Sequence, residues 1–470
     1  MIVKRFFEPL LAQNSYMIGC GQSGQAIVID PNRDIATYMN AAEAEHLEIT
    51  LVTETHIHAD YLSGSRELAQ RTGAKLLLSD EGDANWKYAF AEEGTLIHGG
   101  NRLTLGNVSI EVVHTPGHTP EHLMFLVTDG AVADAPIAAV TGDFIFVGDV
   151  GRPDLLERAA NYKGTMEVGA RTLYRSLQVF KDHEDWLQIW PGHGAGSSCG
   201  KGISAVPHST LGYERRFNWA FKTANEEEFV AQVLSGQPDP PKYFATMKRL
   251  NKEGPCILGE RELPPRLADD RLPAVLSQGS VVIDTRPAVD YGEDFLVGTL
   301  NLPLNHNFVT WAGWLVPYDK EIYLVLGEGA DIRLPEMVRA LALIGLDRVS
   351  GYFGESAVAH VARSQRSQIP QVAPRELAEM RGDHAPVVVD VRADNEWNEG
   401  HLPAAIHIPL GRLVERISEL PQQQPLVMQC ASGARSAIAA SVLARAGVPN
   451  VSNLAGGYNA WVAAGLPTTA

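Results

Sequence analysis

The sequence predicts an α/β protein of several domains, and three observations lead to that prediction. Short apolar segments of strand length alternate with helical stretches through the first half of the 470-residue chain. A segment that ends at Asp284 returns at Asp390, 106 residues later, so the second half contains an internal repeat. The length corresponds to about three domains of ordinary size. Layers of helices on β-sheets are therefore expected in each part.

The overall charge excludes two classes of partner. With 39 Lys and Arg against 56 Asp and Glu, the formal charge of −17 argues against nucleic acid and anionic membranes. No apolar run is long enough to span a membrane, and the N-terminal segment reaches Glu8 and a proline too early for a signal peptide. A cytoplasmic protein is predicted.

The four cysteines are widely separated along the chain, at Cys20, Cys199, Cys256 and Cys430. This spacing is typical of neither a disulfide framework nor a Cys-x-x-Cys zinc site. It indicates a reducing compartment, in which a functional cysteine acts as a thiol.

The first predicted domain, residues 1–254, alternates strands with helices such as residues 65–71. Its predicted strands are 26–30, 47–53, 75–78, 108–113, 123–127 and 137–140. In layered α/β domains the functional side chains usually lie on loops at the strand ends. Metal-ligand and catalytic residues are therefore expected on these loops.

The loop after the predicted strand 47–53 contains a metal-ligand pattern. His56, His58 and Asp60 occupy alternate positions. Residues two apart do not face each other on a helix, so this spacing favours a loop that folds the three side chains around one point. Two imidazoles and a carboxylate in five residues indicate a metal site rather than a solvated loop.

Three later segments place ligand-type residues beside glycine. Glycine and proline form backbone turns that can direct the next side chain inward. They are Pro-Gly-His-Thr at 116–119, Thr-Gly-Asp at 141–143 and Pro-Gly-His-Gly at 191–194. The ordered set of HxHxD, PGHT, TGD and PGHG resembles the metallo-β-lactamase fold, an αββα sandwich. This resemblance implies six ligand candidates, His56, His58, Asp60, His118, Asp143 and His193.

One position departs from the pattern of the hydrolases in this superfamily. They usually have HxHxDH, whose last histidine serves a second metal, whereas this chain has Tyr61. A phenol substitutes poorly for an imidazole as a zinc ligand, which disfavours a dinuclear zinc site. His56, His118 and Asp143 alone form a two-histidine, one-carboxylate set, which suits non-haem Fe(II) and oxygen chemistry.

Those three ligands are also the ones used by persulfide dioxygenases, the ETHE-type sulfur dioxygenases, which this domain resembles. The Gly-Asp-Val-Gly-Arg-Pro-Asp segment at 148–154 is similar to theirs. The resemblance implies one Fe(II) per chain, with zinc as the alternative. His58, Asp60 and His193 then orient the ligands and bound water, or hold a second metal.

Four residues are expected to contact the substrate: Tyr61, Arg152, Cys199 and Lys201. Cys199 lies in a Gly/Ser loop close to Lys201, whose charge favours a thiolate. The alternative is that the cysteine is a small residue filling a tight loop. Four other histidines are expected to be surface or hydrogen-bonded residues, namely His98, His114, His122 and His183.

The repeat in the second half predicts two similar modules. Residues 281–286 resemble 387–392, and a net four-residue difference in length separates later matched positions. The modules are predicted at 262–362 and 371–470, and residues 364–370 are interpreted as the linker between them.

The second module carries a cysteine between an apolar strand and a helix. Backbone N–H groups converge there, and together with Arg435 they favour a Cys430 thiolate and stabilise an anionic persulfide. The Cys-x-x-Gly-x-Arg-Ser segment and its surroundings resemble a rhodanese domain. In the first module Glu328 stands opposite Cys430, and a carboxylate cannot carry sulfane sulfur, so this copy is predicted to be inactive.

The combined hypothesis is a persulfide dioxygenase fused to an inactive and then an active rhodanese domain. It would oxidise a low-molecular-weight persulfide with O₂ to sulfite, and Cys430 would exchange sulfur with sulfite or thiosulfate. Sulfide detoxification and a homo-oligomer are expected. Two alternatives stay open, a zinc thioester hydrolase of glyoxalase II type with added sulfurtransferase modules and a non-catalytic sulfur carrier or sensor.

Overall fold

The computed structural model describes residues 1–158, 164–380, 385–421 and 423–469, so parts of the predicted module 371–470 lie outside the described residues. The chain divides into two compact units. The N-terminal unit is 1–261 with 342–345, and the C-terminal unit is 262–341 with 346–470. In the described part of the chain, no helix combines the length and apolar character that crossing a membrane requires.

Two six-stranded sheets form the centre of the N-terminal unit. The first sheet has the order β1-β2-β3-β4-β5-β6 and the second the order β12-β11-β10-β9-β8-β7. The strands are β1 (Ile2–Glu8), β2 (Gln13–Cys20), β3 (Gln25–Ile29), β4 (Glu48–Thr53), β5 (Lys75–Ser79), β6 (Thr95–Ile97), β7 (Arg102–Leu105), β8 (Val108–His114), β9 (Leu123–Asp129), β10 (Ala138–Gly142), β11 (Gln188–Pro191) and β12 (Ser209–Thr210).

The helices of this unit are α1 (Ile35–Ala44), α2 (Ser65–Thr72), α3 (Leu155–Arg158), α4 (Thr165–Phe180), α5 (Leu211–Phe217), α6 (Trp219–Lys222), α7 (Glu226–Leu234) and α8 (Tyr243–Glu253). Short 3₁₀ helices lie at Ala84–Trp86 and Ala91–Glu93.

Strand periodicity explains how four layers form. In β9, Phe125 joins the core between the two sheets, whereas Met124 and Leu126 join a core shared with α4 and α7. The other outer core combines residues of the first sheet with Tyr38 of α1 and Leu68 of α2. Because side chains alternate across a strand, each sheet buries both faces. The predicted αββα sandwich is confirmed.

The predicted strands and the helix at 65–71 all correspond to observed elements, whereas the hairpin of β1 and β2 was not predicted. Charged residues interrupt the apolar pattern of β1, which lies at the sheet edge and is only partly buried. The short strand β11 also escapes notice because it ends in Pro191.

The C-terminal unit contains two open sheets whose strands run parallel. In the first, β15-β13-β16-β17, and in the second, β19-β23-β22-β20-β21, the central pairings follow the same connectivity. The strands are β13 (Val281–Asp284), β14 (Phe295–Leu296), β15 (Leu300–Asn301), β16 (Ile322–Leu326), β17 (Val349–Gly354), β18 (Arg366–Ser367), β19 (Gln371–Val372), β20 (Val387–Asp390), β21 (Ile406–His407), β22 (Leu426–Gln429) and β23 (Val451–Leu454).

Its helices are α9 (Leu272–Ser277), α10 (Ala288–Glu293), α11 (Phe308–Leu315), α12 (Leu334–Leu343), α13 (Ser356–His360), α14 (Pro374–Glu379), α15 (Asp394–Asn398), α16 (Leu410–Arg416), α17 (Ala434–Arg445) and α18 (Gly457–Ala463). Four 3₁₀ helices lie at Asp269–Arg271, Ala330–Arg333, Arg363–Gln365 and Ile417–Glu419.

Each of the two sheets has a buried ion pair, and the two pairs lie at matching positions. Arg286 donates to Asp284 at the end of β13, and Arg392 donates to Asp390 at the end of β20, each with a shortest distance of 2.7 Å. The repeat therefore extends from sequence to side-chain contacts. Part of the predicted linker is itself a strand, since β18 pairs with β14. The three-domain boundaries stay a prediction.

Candidate metal centre and cysteine loop

Loops at the ends of β4, β8, β10 and β11 bring the predicted ligands together. His56, His118 and Asp143 are buried, and one potential ligand atom from each lies within 4.8 Å of the others. His118 Nε2 is 3.5 Å from Asp143 Oδ2. The three residues proposed from the two-histidine, one-carboxylate pattern are thus neighbours in space, although 87 positions separate the first from the last.

The hydrogen bonds of the two imidazoles leave one nitrogen of each ring for a metal. His118 Nδ1 donates to the Arg152 carbonyl oxygen at 3.0 Å, and His56 Nδ1 lies 2.9 Å from Thr55 Oγ1. Such bonds at Nδ1 fix the ring and direct Nε2 to the metal in known sites. Burial and neighbouring histidines hold the pKa of His56 well below its ordinary value. Burial, then the charge of Lys248, lowers the pKa of His118 to about 3.

The carboxylate of Asp143 has no hydrogen-bond partner at either oxygen, although both oxygens are buried. Burial raises its pKa to about 6. Buried carboxylates without partners are strongly disfavoured unless a cation compensates them. Two neutral imidazoles and an unpartnered carboxylate therefore fit a divalent metal ion.

A second group of ligand-type atoms lies beside the first. Asp60, His193 and Cys199 are buried with one potential ligand atom each within 4.8 Å. His193 Nε2 is 3.3 Å from Asp60 Oδ2 and 3.4 Å from Asp143 Oδ1, and its Nδ1 bonds to the Ala12 carbonyl oxygen at 3.1 Å. Asp60 and His193 are thus close enough to influence the candidate metal ligands.

The predicted Cys199 thiolate is wrong. Burial, followed by the negative charges of Asp143 and Asp60, raises the pKa of this thiol well above its ordinary value. The positive charge expected to favour a thiolate is directed elsewhere, because Lys201 Nζ donates to the carbonyl oxygens of Gln232 and Ser235 at 2.6 and 2.7 Å. Cys199 is therefore a buried thiol whose surroundings disfavour the thiolate.

His58 faces Asp30 rather than the three-residue cluster. Its Nε2 lies 3.0 Å from Asp30 Oδ1, and both side chains are buried. Burial lowers the pKa of His58, but the charge and hydrogen bond of Asp30 outweigh it and raise the pKa to about 9. The imidazolium and carboxylate form an ion pair beside the loop after β4, residues 54–61, which is called the metal loop below. This pairing agrees with an orienting role for His58.

Besides Cys199, two more of the expected substrate contacts lie inside the protein. Tyr61 is 0% exposed, its hydroxyl donates to the Asp30 carbonyl oxygen at 3.3 Å, and its ring lies 4.5 Å from that of His58. Arg152 is also 0% exposed and bonds to both oxygens of Asp154 and to the Ser198 carbonyl oxygen. These contacts brace the loops around the cluster.

Three residues that the sequence pattern did not single out hold the metal loops. Asp30 accepts hydrogen bonds from Thr55 N at 2.6 Å and Thr55 Oγ1 at 2.9 Å, besides pairing with His58. Asn251 of α8 donates to the carbonyl oxygens of His58 and Tyr61 at 2.8 and 2.7 Å. Asp30 lies in the left-handed region at the end of β3, which sequence alone does not reveal.

The third residue is His122, which was expected to be a satisfied histidine. Its Nε2 accepts a hydrogen bond from the Asp143 backbone N–H at 3.1 Å, and its Nδ1 is 2.8 Å from Thr115 Oγ1. Its ring stacks on His56 at 5.1 Å. The residue is hydrogen-bonded, as predicted, but it also positions two of the candidate metal ligands. Of the other three histidines, His98 is exposed, and His114 and His183 are partly buried.

Cys430 follows β22 directly and is 0% exposed. Its sulfur accepts hydrogen bonds from Gly433 N–H at 3.2 Å and from Ser436 Oγ at 3.4 Å, and α17 begins beside it. Gly457, with φ +59°, lets its backbone approach the loop, since a Cβ there would lie 2.2 Å from the Cys430 carbonyl oxygen. The loop therefore presents converging donors to the sulfur, as the sequence predicted.

In the first module the matching loop follows β16 and carries Glu328, which is exposed. A cavity of about 370 Å³ lies there, lined by residues that include Gly327, Glu328, Asp331 and Glu355. The loop thus retains the position of the Cys430 loop without a nucleophile.

The two parts of the chain that carry these sites each match a known protein family. A family model described as the metallo-beta-lactamase superfamily matches residues 9–193, and a rhodanese-like domain model matches residues 373–464. A crystal structure of a metallo-beta-lactamase from Staphylococcus aureus subsp. aureus COL is 40% identical, with a TM-score of 0.67. It covers 75% of this chain and 98% of its own.

Two relatives differ in the activity that their names state. The mitochondrial persulfide dioxygenase ETHE1 of Homo sapiens is 27% identical over 247 residues, which are 52% of this chain and 83% of that protein. A hydroxyacylglutathione hydrolase of Polaromonas sp. (strain JS666 / ATCC BAA-500) is 33% identical over 283 residues, 54% of this chain and 100% of that protein. The chain therefore belongs to the metallo-beta-lactamase superfamily and carries a C-terminal rhodanese-like domain.

Proposed function

We propose that the N-terminal unit is an iron-dependent persulfide dioxygenase and that Cys430 is the nucleophile of a sulfurtransferase. The overall reaction converts a thiol persulfide, O₂ and water into the thiol, sulfite and two protons. The observation that carries the proposal is the buried cluster of His56, His118 and Asp143 in the same chain as a rhodanese-like cysteine loop.

The donor set favours Fe(II) over a pair of zinc ions. Two neutral imidazoles and one carboxylate with positions left open are typical of non-haem iron sites that use oxygen. Tyr61 commits its hydroxyl to Asp30, so it offers no ligand for a second metal. His56, His118 and Asp143 would hold Fe(II), which when bound would supply the redox chemistry for reaction of a persulfide with O₂.

The protein residues around the cluster orient and shield it. Thr55 and the Arg152 carbonyl fix the two imidazoles, and His122 holds the backbone of Asp143. His56, His118 and Asp143 are each no more than 3% exposed, so the ligands are kept from bulk water.

Sulfur transfer at Cys430 would proceed in two displacements. The thiolate attacks the outer sulfur of a thiol persulfide, the S–S bond breaks, and the carrier leaves as a thiol with the proton. Sulfite then attacks the outer sulfur of the cysteine persulfide, and thiosulfate and the Cys430 thiolate result. Gly433 N–H and Ser436 Oγ can stabilise the negative sulfur in both steps.

A zinc-dependent thioester hydrolase is the second candidate. It is supported by the hydroxyacylglutathione hydrolase relative and by the second ligand group of Asp60, His193 and Cys199. In that case the metal would activate a water for attack on a thioester.

Metal analysis together with two activity assays tests the proposal. Protein purified without added metal is expected to contain about one iron per chain and to consume O₂ with glutathione persulfide. His56→Ala should lose both, whereas His98→Ala, at an exposed histidine, should keep both. Zinc with cleavage of S-lactoylglutathione and no O₂ uptake would refute it. If the proposal holds, comparing O₂ uptake with the persulfides of glutathione and coenzyme A would identify the carrier thiol.

A further inference from the structure

The Cys430 loop contains one charged residue, and that residue is neutralised. Between Pro425 and Ala444 the sequence has Arg435 alone among charged side chains. Arg435 Nη1 and Nη2 donate to Glu396 Oε2 and Oε1 at 2.6 and 2.7 Å. This two-point contact occupies both terminal nitrogens of the guanidinium, which could otherwise bind an anion.

Glu396 is held in place from a different element. It lies on α15, and its Oε2 also accepts a hydrogen bond from the Ala393 backbone N–H at 3.2 Å. Although burial raises the pKa of this carboxyl group, Arg435 outweighs burial and lowers it. The Arg435 pKa is raised by Glu396 and, more weakly, by the sulfur of Cys430. The guanidinium is thus held by the Glu396 carboxylate within the loop that carries Cys430.

Neighbouring cations are engaged in the same way. Arg392, whose guanidinium lies 4.1 Å from the Tyr458 ring, is bonded to Asp390. In the first module Arg333, which matches Arg435, bonds instead to Glu336 three residues on. The contact between α15 and the loop arginine therefore belongs to the module that carries the cysteine.

We propose that Glu396 determines which sulfur compounds exchange with Cys430, by screening the charge of Arg435. A screened arginine favours thiol persulfides, which bring at most one negative charge to the reacting sulfur. It disfavours thiosulfate as a sulfur donor, because this dianion gains more from an unscreened cation. Glu396 acts through Arg435 as a positioning residue. The inference rests on the proposed sulfurtransferase function of Cys430.

The physical expectation follows from the charge difference between the two donors. At the reacting sulfur group, thiosulfate carries one more negative charge than an ionised persulfide, and that charge interacts with the guanidinium only when Glu396 does not cancel it. An unscreened charge pair about 5 Å apart at a partly exposed site changes a rate constant by about tenfold. Arg435 and Glu396 have side chains 27% and 29% exposed, so the contact is partly solvated.

Anaerobic transfer to cyanide measures both donors with one acceptor and without O₂ consumption. The full chain is assayed with thiosulfate and with glutathione persulfide, and the Cys430→Ser protein gives the background. In Glu396→Gln, the ratio of kcat/KM for thiosulfate to that for the persulfide should rise about tenfold. Glu396→Asp restores the charge and should return the ratio towards that of the wild type.

Glu419→Gln is the matched control, because Glu419 also accepts two hydrogen bonds from one arginine, from Arg416 Nε and Nη2 at 2.8 and 2.7 Å. Its donor ratio should equal that of the wild type. An unchanged or lower ratio in Glu396→Gln would overturn the inference while leaving the sulfurtransferase proposal intact. A wild type no faster than Cys430→Ser with either donor would instead refute the sulfurtransferase itself.

The dependence of the rate on ionic strength provides a second test, which uses only the wild-type protein. If Arg435 is screened, wild-type kcat/KM for thiosulfate should change by less than about twofold between 50 and 500 mM NaCl. A fall of more than about fivefold would mean that an unscreened cation recognises the dianion, and the inference would be wrong.

Discussion

Replacing Asp30 by asparagine should loosen the metal loop from behind, without touching a proposed ligand. The substitution preserves shape but removes the charge that pairs with His58. An amide can still accept the bond from Thr55 N–H, so the loss is concentrated in the ion pair. Breaking one partner of a buried pair costs about 3–5 kcal/mol.

The pKa of His58 gives an independent magnitude. The difference between about 9 in the folded protein and the ordinary 6.5 corresponds to about 3.4 kcal/mol of interaction. Because the folded pKa is the higher one, this stability is fully present below about pH 6.5 and is lost as pH rises through about 9. Metal-free wild type and Asp30→Asn should therefore differ most near pH 6 and converge above pH 9.

Hydrogen–deuterium exchange of peptides from β3 and β4 measures local opening in this multidomain chain, where one global unfolding transition is not assured. The metal affinity of the reloaded protein should fall about 10- to 100-fold, as when an orienting partner of a ligand is lost. Asp284→Asn is the control, since it breaks a buried pair with Arg286 in the other unit. An Asp30→Asn protein that opens like wild type at pH 6 would refute the reasoning.

Three further substitutions test other contacts. Asn251→Ala removes buried bonds to His58 and Tyr61 and should destabilise the metal loop by about 3 kcal/mol in the same exchange assay; an unchanged loop would contradict this. Gly151→Ala places a Cβ 1.8 Å from the Asp143 carbonyl oxygen and should lower iron content at least about tenfold, whereas Gly202→Ala, with 3.6 Å to its nearest atom, should not. Gly457→Ala should abolish transfer from Cys430 but leave O₂ uptake intact, and Gly447→Ala, at φ +80° with no atom within 4 Å, controls for backbone strain.

Much of the fold was predictable because strand periodicity is a local property. In β8, Val108, Ile110 and Val112 alternate with more polar residues, and all three enter the core between the sheets. In the C-terminal unit the strand before Cys430 was predicted, whereas two-residue strands such as β14 and β21 were not. The edge strand β1 was not, because its burial depends on partners that the local pattern does not specify.

The candidate site divides in the same way. His56, His118 and Asp143 stand beside turn residues after apolar strands, so their convergence could be predicted. The charge around Cys199 could not, because it depends on Asp60 and Asp143 from other loops and on Lys201 turning towards Gln232 and Ser235. Proximity in sequence suggested a cation where the fold places two carboxylates.

The Tyr61 substitution affects more than a ligand count. Its hydroxyl bonds to the Asp30 carbonyl, and its ring packs against His58, so it contacts both members of the ion pair behind the metal loop. A histidine in its place would be shorter and could not keep both contacts while also reaching a metal. The tyrosine therefore removes a second-metal ligand and encloses the His58–Asp30 pair in one change. We therefore expect a single metal, because Tyr61, where related hydrolases place a ligand for a second ion, already contacts the His58–Asp30 pair.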